Sequence, residues 1–350
     1  MSKIMLQDLI DFCAEVLVKE GMSPEDAKIT AEVLAVTEAY GTQSHGTKNL
    51  KGYIEKSHAG GVDLKAIPEV VTEGPAFACI DAKNSIGMVS SYKAMDLACK
   101  KASEAGIALV TVRNGCHYGS AGYYTNMAAR RGLIGLAMSN VDPNMTAPGA
   151  KGMVIGNNPI AYAAPAQSLP SVFLDIAMSN VASLKVIQAR KDGQQIPSTW
   201  IVDKDGLPTT DPSHYPEEGA MQPFAAHKGY GLAILVDLLT GILSGGATSP
   251  SGEIVSWCFE MEKKNNVSHT FIAIDPALFG QGDISGRVED MSKTLREAPK
   301  ALNANRIYTP GEMEWEKYLA AEKGGLDLPA ATEASLKALA ELSGIEPKLF

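Results

Sequence analysis

Two histidines carry most of the chemistry this chain can offer. His117 sits in a turn of small residues, Cys116-His117-Tyr118-Gly119-Ser120-Ala121-Gly122, and His45 follows Ser44 in Gly41-Thr42-Gln43-Ser44-His45-Gly46. Imidazole has an ordinary pKa close to neutrality, so either ring can pass a proton at working pH. Asp142 stands at the exit of the next apolar run, beside Asn140, and His117 with Asp142 is the first pair to test for proton chemistry. If a helix begins at Ser44, then His45, Asn49 and Tyr53 share one face at i, i+4 and i+8. Each feature also has a plainer account. A histidine beside Tyr and Gly can be a turn residue with a satisfied ring. Asp and Asn before Pro are common turn formers, and a polar stripe can be a solvated helix face. Lys228 heads an apolar helix, where the macrodipole disfavours a cation. It fits an anionic or electron-rich ligand docking nearby, or a solvated surface lysine.

Several chemistries lack their signatures. There is no H-E-x-x-H and no C-x-x-C, so no metal site is expected. There is no G-x-S-x-G elbow and no phosphate-binding G-x-x-x-x-G-K-[ST]. The segment Gly280-Gln-Gly282-Asp-Ile-Ser-Gly286 has its last spacing one residue too long for a dinucleotide fingerprint, and Asp275-Pro276 separates it from its strand. A thiol hydrolase built on Cys116 is disfavoured, because adjacent Cys116 and His117 do not easily align as nucleophile and base.

The elements that must position these residues follow from periodicity and turn chemistry. Helices are predicted over 4–20 and 24–40, the second begun by Ser23-Pro24-Glu25-Asp26 with a capping serine, proline at the first position and early acids. Short strands with a turn at Lys83-Asn84 are predicted over 69–89, and a helix over 88–105 on Ala94, Leu97, Ala98, Ala102 and Ala105. A strand from Ile107 to Val112 runs into the His117 turn. A short helix stopped by Gly132 follows, then a buried strand from Leu133 to Met138. Val172–Ile176 and Thr270–Ile274 read as strands, a helix passes through Lys185, Val186 and Ala189, and 197–212 reads as a polar loop. Leu232, Leu235, Val236, Leu239, Ile242 and Leu243 define one face of a strong helix after Lys228. Helices over 285–302, 312–323 and 332–343 close the chain. The organisation expected is an N-terminal helical region, 1–70, packing with C-terminal helices, 310–350, around a main α/β region, 71–309.

The chain has 350 residues, 45% of them hydrophobic, enough for a substantial core. A formal net charge of −9 argues against a nucleic-acid partner, which needs a basic face. No apolar run is long enough to span a membrane. Five cysteines without metal spacing or a disulfide framework suit a reducing, cytoplasmic setting.

Taken in order, several segments resemble the malate/L-lactate dehydrogenase family of the second type, which includes ureidoglycolate, sulfolactate and diketogulonate dehydrogenases and some cyclic imine reductases. They are Ser44-His45-Gly46, the His117 turn with Ala121-Gly122, Ser139-Asn140 with Pro143, Asn158-Pro159-Ile160, Asp175-Ile176-Ala177, Ile196-Pro197 and Pro208-Thr209-Thr210-Asp211-Pro212. Lys228-Gly229-Tyr230-Gly231-Leu232, Phe271-Ile272-Ala273-Ile274-Asp275-Pro276 and Pro310-Gly311-Glu312 complete the set. The resemblance implies hydride exchange between NAD or NADP and a 2-hydroxy or 2-oxo acid. It implies an α/β fold that is not Rossmann, a largely antiparallel or mixed sheet wrapped by helices, in a homodimer. It assigns the proton donor to His45, held by Ser44, in some members and to His117 in others. Asp142 matches an acid that can orient a histidine. Asn49, Tyr53, Asn140 and Lys185 fall at substrate positions. Asp175, Ile176, Ala177, His227, Lys228, Gly229, Gly311 and Glu312 match cofactor contacts.

Two positions depart from the family pattern. Four residues past the Ser-His-Gly histidine, where the family usually has arginine, this chain has Asn49; between Gly156 and Asn158, where it usually has threonine, this chain has Asn157. The first points to a substrate other than simple malate or lactate. Lys185 matches the hydroxy-acid branches, whereas the imine reductases tend to carry aspartate there, so imine reduction is the lesser alternative. A member that binds NAD(P) with impaired catalysis is another.

Overall fold

A computed structural model describes residues 3–280 and 282–350. Its first helices obey their local signals. Ser23 accepts from the Asp26 amide at 3.2 Å, with Pro24 opening the helix, so α2 (Pro24–Ala39) starts where the cap dictates. It packs on α1 (Leu6–Lys19), whose Leu9, Cys13, Val16 and Leu17 are buried on one face. After α2 the chain does not form one helix from Ser44. Two 3-10 turns, Gln43–His45 and Thr47–Asn49, are separated by extended Gly46, and only then does α3 (Leu50–His58) begin. The i, i+4, i+8 stripe is therefore broken, and Tyr53 alone of its members lies on the α-helix.

The main sheet has seven strands in the order β1-β2-β3-β10-β4-β5-β6: β1 (Glu69–Gly74), β2 (Phe77–Asp81), β3 (Ile107–Gly115), β4 (Ile134–Ser139), β5 (Ile160–Pro165), β6 (Ser171–Ile176) and β10 (Val267–Ile274). Only β2 and β3 pair in parallel; the other neighbours are antiparallel. This is the mixed, mostly antiparallel sheet expected; its one parallel pair, β2 and β3, is joined through the helix Gly87–Ala105, so the sheet is not a doubly wound parallel one. Strand β5 was not anticipated: Ile160-Ala161-Tyr162-Ala163-Ala164 is bracketed by prolines and lacks a β-branched run. A second sheet, β8-β7-β9, consists of two-residue strands, β7 (Ile201–Val202), β8 (Pro208–Thr209) and β9 (Ala220–Met221), within and just after the segment read as a loop.

Helices α4 (Gly87–Ala105) and α5 (Ala121–Ala129) pack on the main sheet, and α9 (Glu312–Gly324) and α10 (Ala330–Ser343) close over the N-terminal helices. The two ends of the chain meet directly: Ile4 and Leu326 exchange backbone hydrogen bonds, and Ser335 donates to the Lys48 carbonyl at 2.8 Å. One apolar core runs from Leu9 and Val16 through Leu34, Met95 and Phe271 to Trp315 and Leu339, so the N-terminal region shares its core with the sheet. A smaller core joins Met138, Met145, Met178, Ile201, Met221 and Val236 beneath α6 (Ser183–Lys191) and α7 (His227–Asp237). The helix α8 (Ile284–Arg296) stops short of the expected 302.

The apolar residues of α7 do not all face inward. The helix continues as a π-helical turn, Leu238–Ile242. Val236 is buried, whereas Leu235 is 42%, Ile242 61% and Leu243 55% exposed. Gly229, Ala233 and Thr240 make the buried side instead, so the strong periodicity marks an outward apolar face.

Candidate functional site

Strand β3 carries His117 to the site. At its end Asn114 adopts a left-handed backbone, φ 55°, which asparagine tolerates, and the chain turns out of the sheet. The His117 amide donates to Asn265 Oδ1 at 2.8 Å, fixing the turn to the chain entering β10. Beyond it, Ser120 Oγ and the Gly122 amide both donate to Asp175 Oδ2, at 2.6 and 2.7 Å. A carboxylate on a first-turn amide of α5 satisfies an otherwise unpaired donor and suits the helix dipole.

His45 arrives on the 3-10 turn after α2. Ser44 Oγ lies 2.8 Å from its Nδ1, and Asn49 Nδ2 donates to the Ser44 carbonyl at 2.8 Å, closing the turn from below. Buried Glu38 accepts from the Thr47 amide and hydroxyl, at 2.9 and 3.0 Å, and ties the turn to α2. The two imidazole rings come within 5.3 Å, centroid to centroid. On the far side of His117, Tyr53 places its hydroxyl in hydrogen-bond contact with Nδ1. Trp257 stacks on both, 4.9 Å from the His117 ring and 4.7 Å from the Tyr53 ring. Among the described residues Nε2 of each histidine is left without a hydrogen-bond partner.

The electrostatics follow from this crowding. Burial, the neighbouring His45 and then His269 hold His117 well below the ordinary histidine pKa. Burial lowers His45 too, but the Asp175 carboxylate opposes that shift. Burial drives the Tyr53 hydroxyl well above its usual value, so it remains protonated. The arrangement is a neutral imidazole pair with free nitrogens, walled by aromatic rings, competent to take or give one proton.

The segments matched to cofactor contacts converge on β6. Phe173 donates its amide to the Pro310 carbonyl at 3.2 Å, bringing Gly311 and Glu312 against the strand. Past Asp175, Ile176 and Ala177, the Met178 carbonyl accepts from the Phe224 amide at 2.9 Å. A Cβ on Gly229 would lie 2.8 Å from that carbonyl, so the start of α7 approaches as only glycine permits. His227 and Lys228 stand exposed in the first turn of α7. The Lys228, Gly229 and Tyr230 amides are taken by the Ala225, Phe224 and Ala226 carbonyls, so what this helix start offers an anionic group is the exposed Lys228 cation.

Other matched residues are directed elsewhere. Asn140 is fully buried; its Nδ2 donates to Asp237 Oδ1 at 3.0 Å and the Ala247 carbonyl at 2.8 Å, and its Oδ1 accepts from the Ser268 amide at 2.8 Å. Its side-chain amide is thus engaged by neighbouring protein groups. Among the described residues Asp142 bonds to neither histidine; Ser44 and Tyr53 take Nδ1 of the two rings. Burial and then Glu260 raise the Asp142 pKa. Lys185 is exposed on α6, over the smaller core rather than at the rings. Buried Glu312 accepts from the Thr309 amide and pairs with Arg306, which makes its side chain a fastening of α9.

Two site residues were missed from sequence. Trp257 lies in a polar loop without periodicity; its only signal was that so large an apolar ring in such a loop must cover something. Asn265, in Lys263-Lys264-Asn265-Asn266, gave no signal at all.

Residues 4–337 match the sequence profile of the malate/L-lactate dehydrogenase family. The chain is similar to the malate dehydrogenase of Pyrococcus horikoshii, at 36% identity over 97% of this chain and 94% of that one. It is also similar to the ureidoglycolate dehydrogenase (NAD(+)) of Escherichia coli, at 33% identity over 93% of this chain and 92% of that one. In fold it is similar to the solved structure of sulfolactate dehydrogenase from Methanocaldococcus jannaschii, with a TM-score of 0.90 at 32% identity and 98% of each chain covered.

Proposed function

Because this chain belongs to the malate/L-lactate dehydrogenase family and is a nicotinamide-dependent hydroxy-acid dehydrogenase, we propose that His45 and His117 are its proton-transfer pair and that its substrate is a 2-hydroxy acid other than simple malate or lactate. The observation that carries the pair is the approach of the two rings to 5.3 Å, each with Nδ1 held by a hydroxyl and Nε2 free.

In the oxidative direction Nε2 of a neutral histidine takes the substrate hydroxyl proton; in reduction it returns it. Two imidazolium rings at this separation repel, so the pair holds one proton and titrates as a unit. Asp175 biases that proton toward His45. Tyr53 orients His117 through Nδ1, and Trp257 with Tyr53 keeps water from the ring. Bound nicotinamide supplies the hydride acceptor or donor. Asp175–Ala177, His227–Gly229 and the chain at Gly311 would hold it, and the exposed Lys228 would meet its negative charge.

Asn49 sets the substrate class. It brings neutral donors and an acceptor where arginine would grip a carboxylate, so the group facing it is an amide, hydroxyl or carbonyl, or a carboxylate held by another cation. The enzyme works as a homodimer through the outward face of α7, and its free cysteines suit the cytoplasm.

The test is kinetic. His45→Ala and His117→Ala each lower kcat by roughly 10²–10⁴, the range for a lost general acid or base. Near wild-type turnover in both variants, over a panel of 2-hydroxy acids followed by reduced-nicotinamide absorbance, refutes the pair.

A further inference from the structure

Lys56 is fully buried, yet among the described residues no carboxylate meets its ammonium group. Nζ donates instead to two main-chain carbonyls, Glu260 at 2.9 Å and Lys263 at 2.6 Å. Both belong to one irregular loop, residues 252–266, between the end of the α7 helix and β10. Burying a lysine is costly unless its donors are satisfied, so this placement marks a fastening rather than chance packing.

The loop carries Trp257. One turn before Lys56, the same helix α3 carries Tyr53, whose ring stacks on Trp257 and whose hydroxyl reaches His117. A Cβ on Gly52 would sit 3.3 Å from the Trp257 ring, so this side of α3 receives the indole without a side chain intervening. At its other end the loop is pinned by Asn265, which accepts from the His117 amide. Gly61, just past α3, lets the loop backbone approach: a Cβ there would meet the Met261 carbonyl at 2.0 Å.

We infer that Lys56 is a positioning residue: by clasping the Glu260 and Lys263 carbonyls it holds the 252–266 loop so that Trp257 forms the wall against which Tyr53 and His117 stack. Helix α3 thereby sets both sides of His117, one through the Tyr53 hydroxyl and one through the Lys56 clasp. The inference rests on the proton-transfer role proposed for His117, but the state of the loop is readable without turnover.

The chain has three tryptophans, so protein labelled with 5-fluorotryptophan gives three fluorine resonances, and Trp257→Phe identifies the Trp257 line. In Lys56→Met, which keeps the length and loses the donors, the Trp257 line moves toward its solvent value while that of Trp315 stays. Opening the wall hydrates His117, so the acid limb of kcat/KM moves up toward an ordinary histidine pKa of about 6.5, and kcat/KM falls about tenfold or more, the size of one lost charge-assisted contact. A folded Lys56→Met with an unmoved Trp257 line overturns the clasp. A moved line with an unmoved acid limb overturns its effect on His117. If Lys56→Met does not fold, Gly61→Ala presses on the clasp itself, its Cβ meeting the Met261 carbonyl at 2.0 Å and both the Lys263 carbonyl and Lys56 Nζ at 2.9 Å; the same two readouts apply, and wild-type behaviour there overturns the inference. Failure of the His117 role itself is recognised separately, by near wild-type turnover in His117→Ala with the Trp257 line still sensitive to Lys56.

Discussion

Tyr53 and His117, 64 residues apart in sequence, meet through the tyrosine hydroxyl and Nδ1 of the imidazole, with their rings 24° from parallel. One comes from a helix before the sheet and the other from the turn after β3, so the contact forms only when the N-terminal helices dock. Among the described residues it leaves Nε2 without a hydrogen-bond partner. Tyr53→Phe keeps the stack on Trp257 and removes the bond. A hydrogen bond to a group that becomes charged contributes about 1.5–3 kcal/mol, so kcat/KM for oxidation is expected to fall about tenfold or more, since ~1.4 kcal/mol is tenfold. The melting temperature should change little. Steady-state rates with unaltered kcat/KM would show that the hydroxyl does not support the ring.

A second expectation concerns acid stability. His269 is fully buried between Ser139 Oγ and the Cys116 carbonyl and stacks on Tyr118 at 4.4 Å. Burial pushes its pKa down to about 3. In the unfolded chain the ring titrates near 6.5, so between about 6.5 and 3 the unfolded state binds the extra proton. Stability contributed by keeping this ring neutral is therefore full above about 6.5 and falls as pH drops, by about 1.4 kcal/mol per pH unit for one proton. His269→Gln should flatten the acid side of the urea-midpoint profile by about one proton. Equal slopes in both proteins would mean that His269 takes up its proton without unfolding.

Much of this fold was legible because local signals and tertiary demands agree. The Ser23 cap, the apolar run of β3, the stop at Gly132 and the position of His117 are all written in short windows. The candidate site was legible as pieces: His45, His117 and Asp175 stand out in their motifs, and the structure brings the two histidine rings within 5.3 Å. What could not be read was which groups bond to which. Tyr53 was placed with Asn49 on one helical stripe, but Gly46 and two 3-10 turns break that helix, and the partner of Tyr53 proved to be His117. Asn140 carries a polar amide at a strand exit, which looks the same in sequence whether it faces a ligand or, as here, joins Asp237 to Ser268. Trp257 acts through a loop whose path is fixed by Lys56, a contact across 204 residues that no periodicity encodes.

The helix α7 offers a third test. An apolar face that includes Leu235, Leu238, Ile242 and Leu243 lies 42–61% exposed, an arrangement that monomers rarely leave in contact with water. If a second copy covers it, Leu235→Glu with Ile242→Glu buries two carboxylates at the contact and should yield monomers in sedimentation at micromolar concentration, with the far-UV spectrum retained. A dimer that persists in the double variant would place the interface elsewhere.

The last expectation joins Asn49 to substrate choice. Its side-chain amide donates to the Ser44 carbonyl at 2.8 Å, so it braces the turn that presents His45 as well as occupying the position of the missing arginine. Another cation could hold a carboxylate in place of the missing arginine; Arg113 is taken up by Asp81 Oδ2 at 3.3 Å and the Ser244 carbonyl at 3.4 Å. Lys48, exposed one residue before Asn49, is left as the local positive charge. Introducing arginine restores a bidentate, charge-assisted grip on a planar carboxylate, on the order of 1.5–3 kcal/mol, against about 1 kcal/mol for the brace it replaces. Asn49→Arg should therefore raise kcat/KM for simple 2-oxo acids several-fold to tenfold and lower it for 2-hydroxy acids that carry an amide. Asn49→Ala separates the two effects: it removes the brace without adding charge, so it should lower kcat/KM for every substrate alike. If Asn49→Arg and Asn49→Ala fall together across the panel, Asn49 serves the His45 turn alone, and the substrate class must be sought in another part of the pocket.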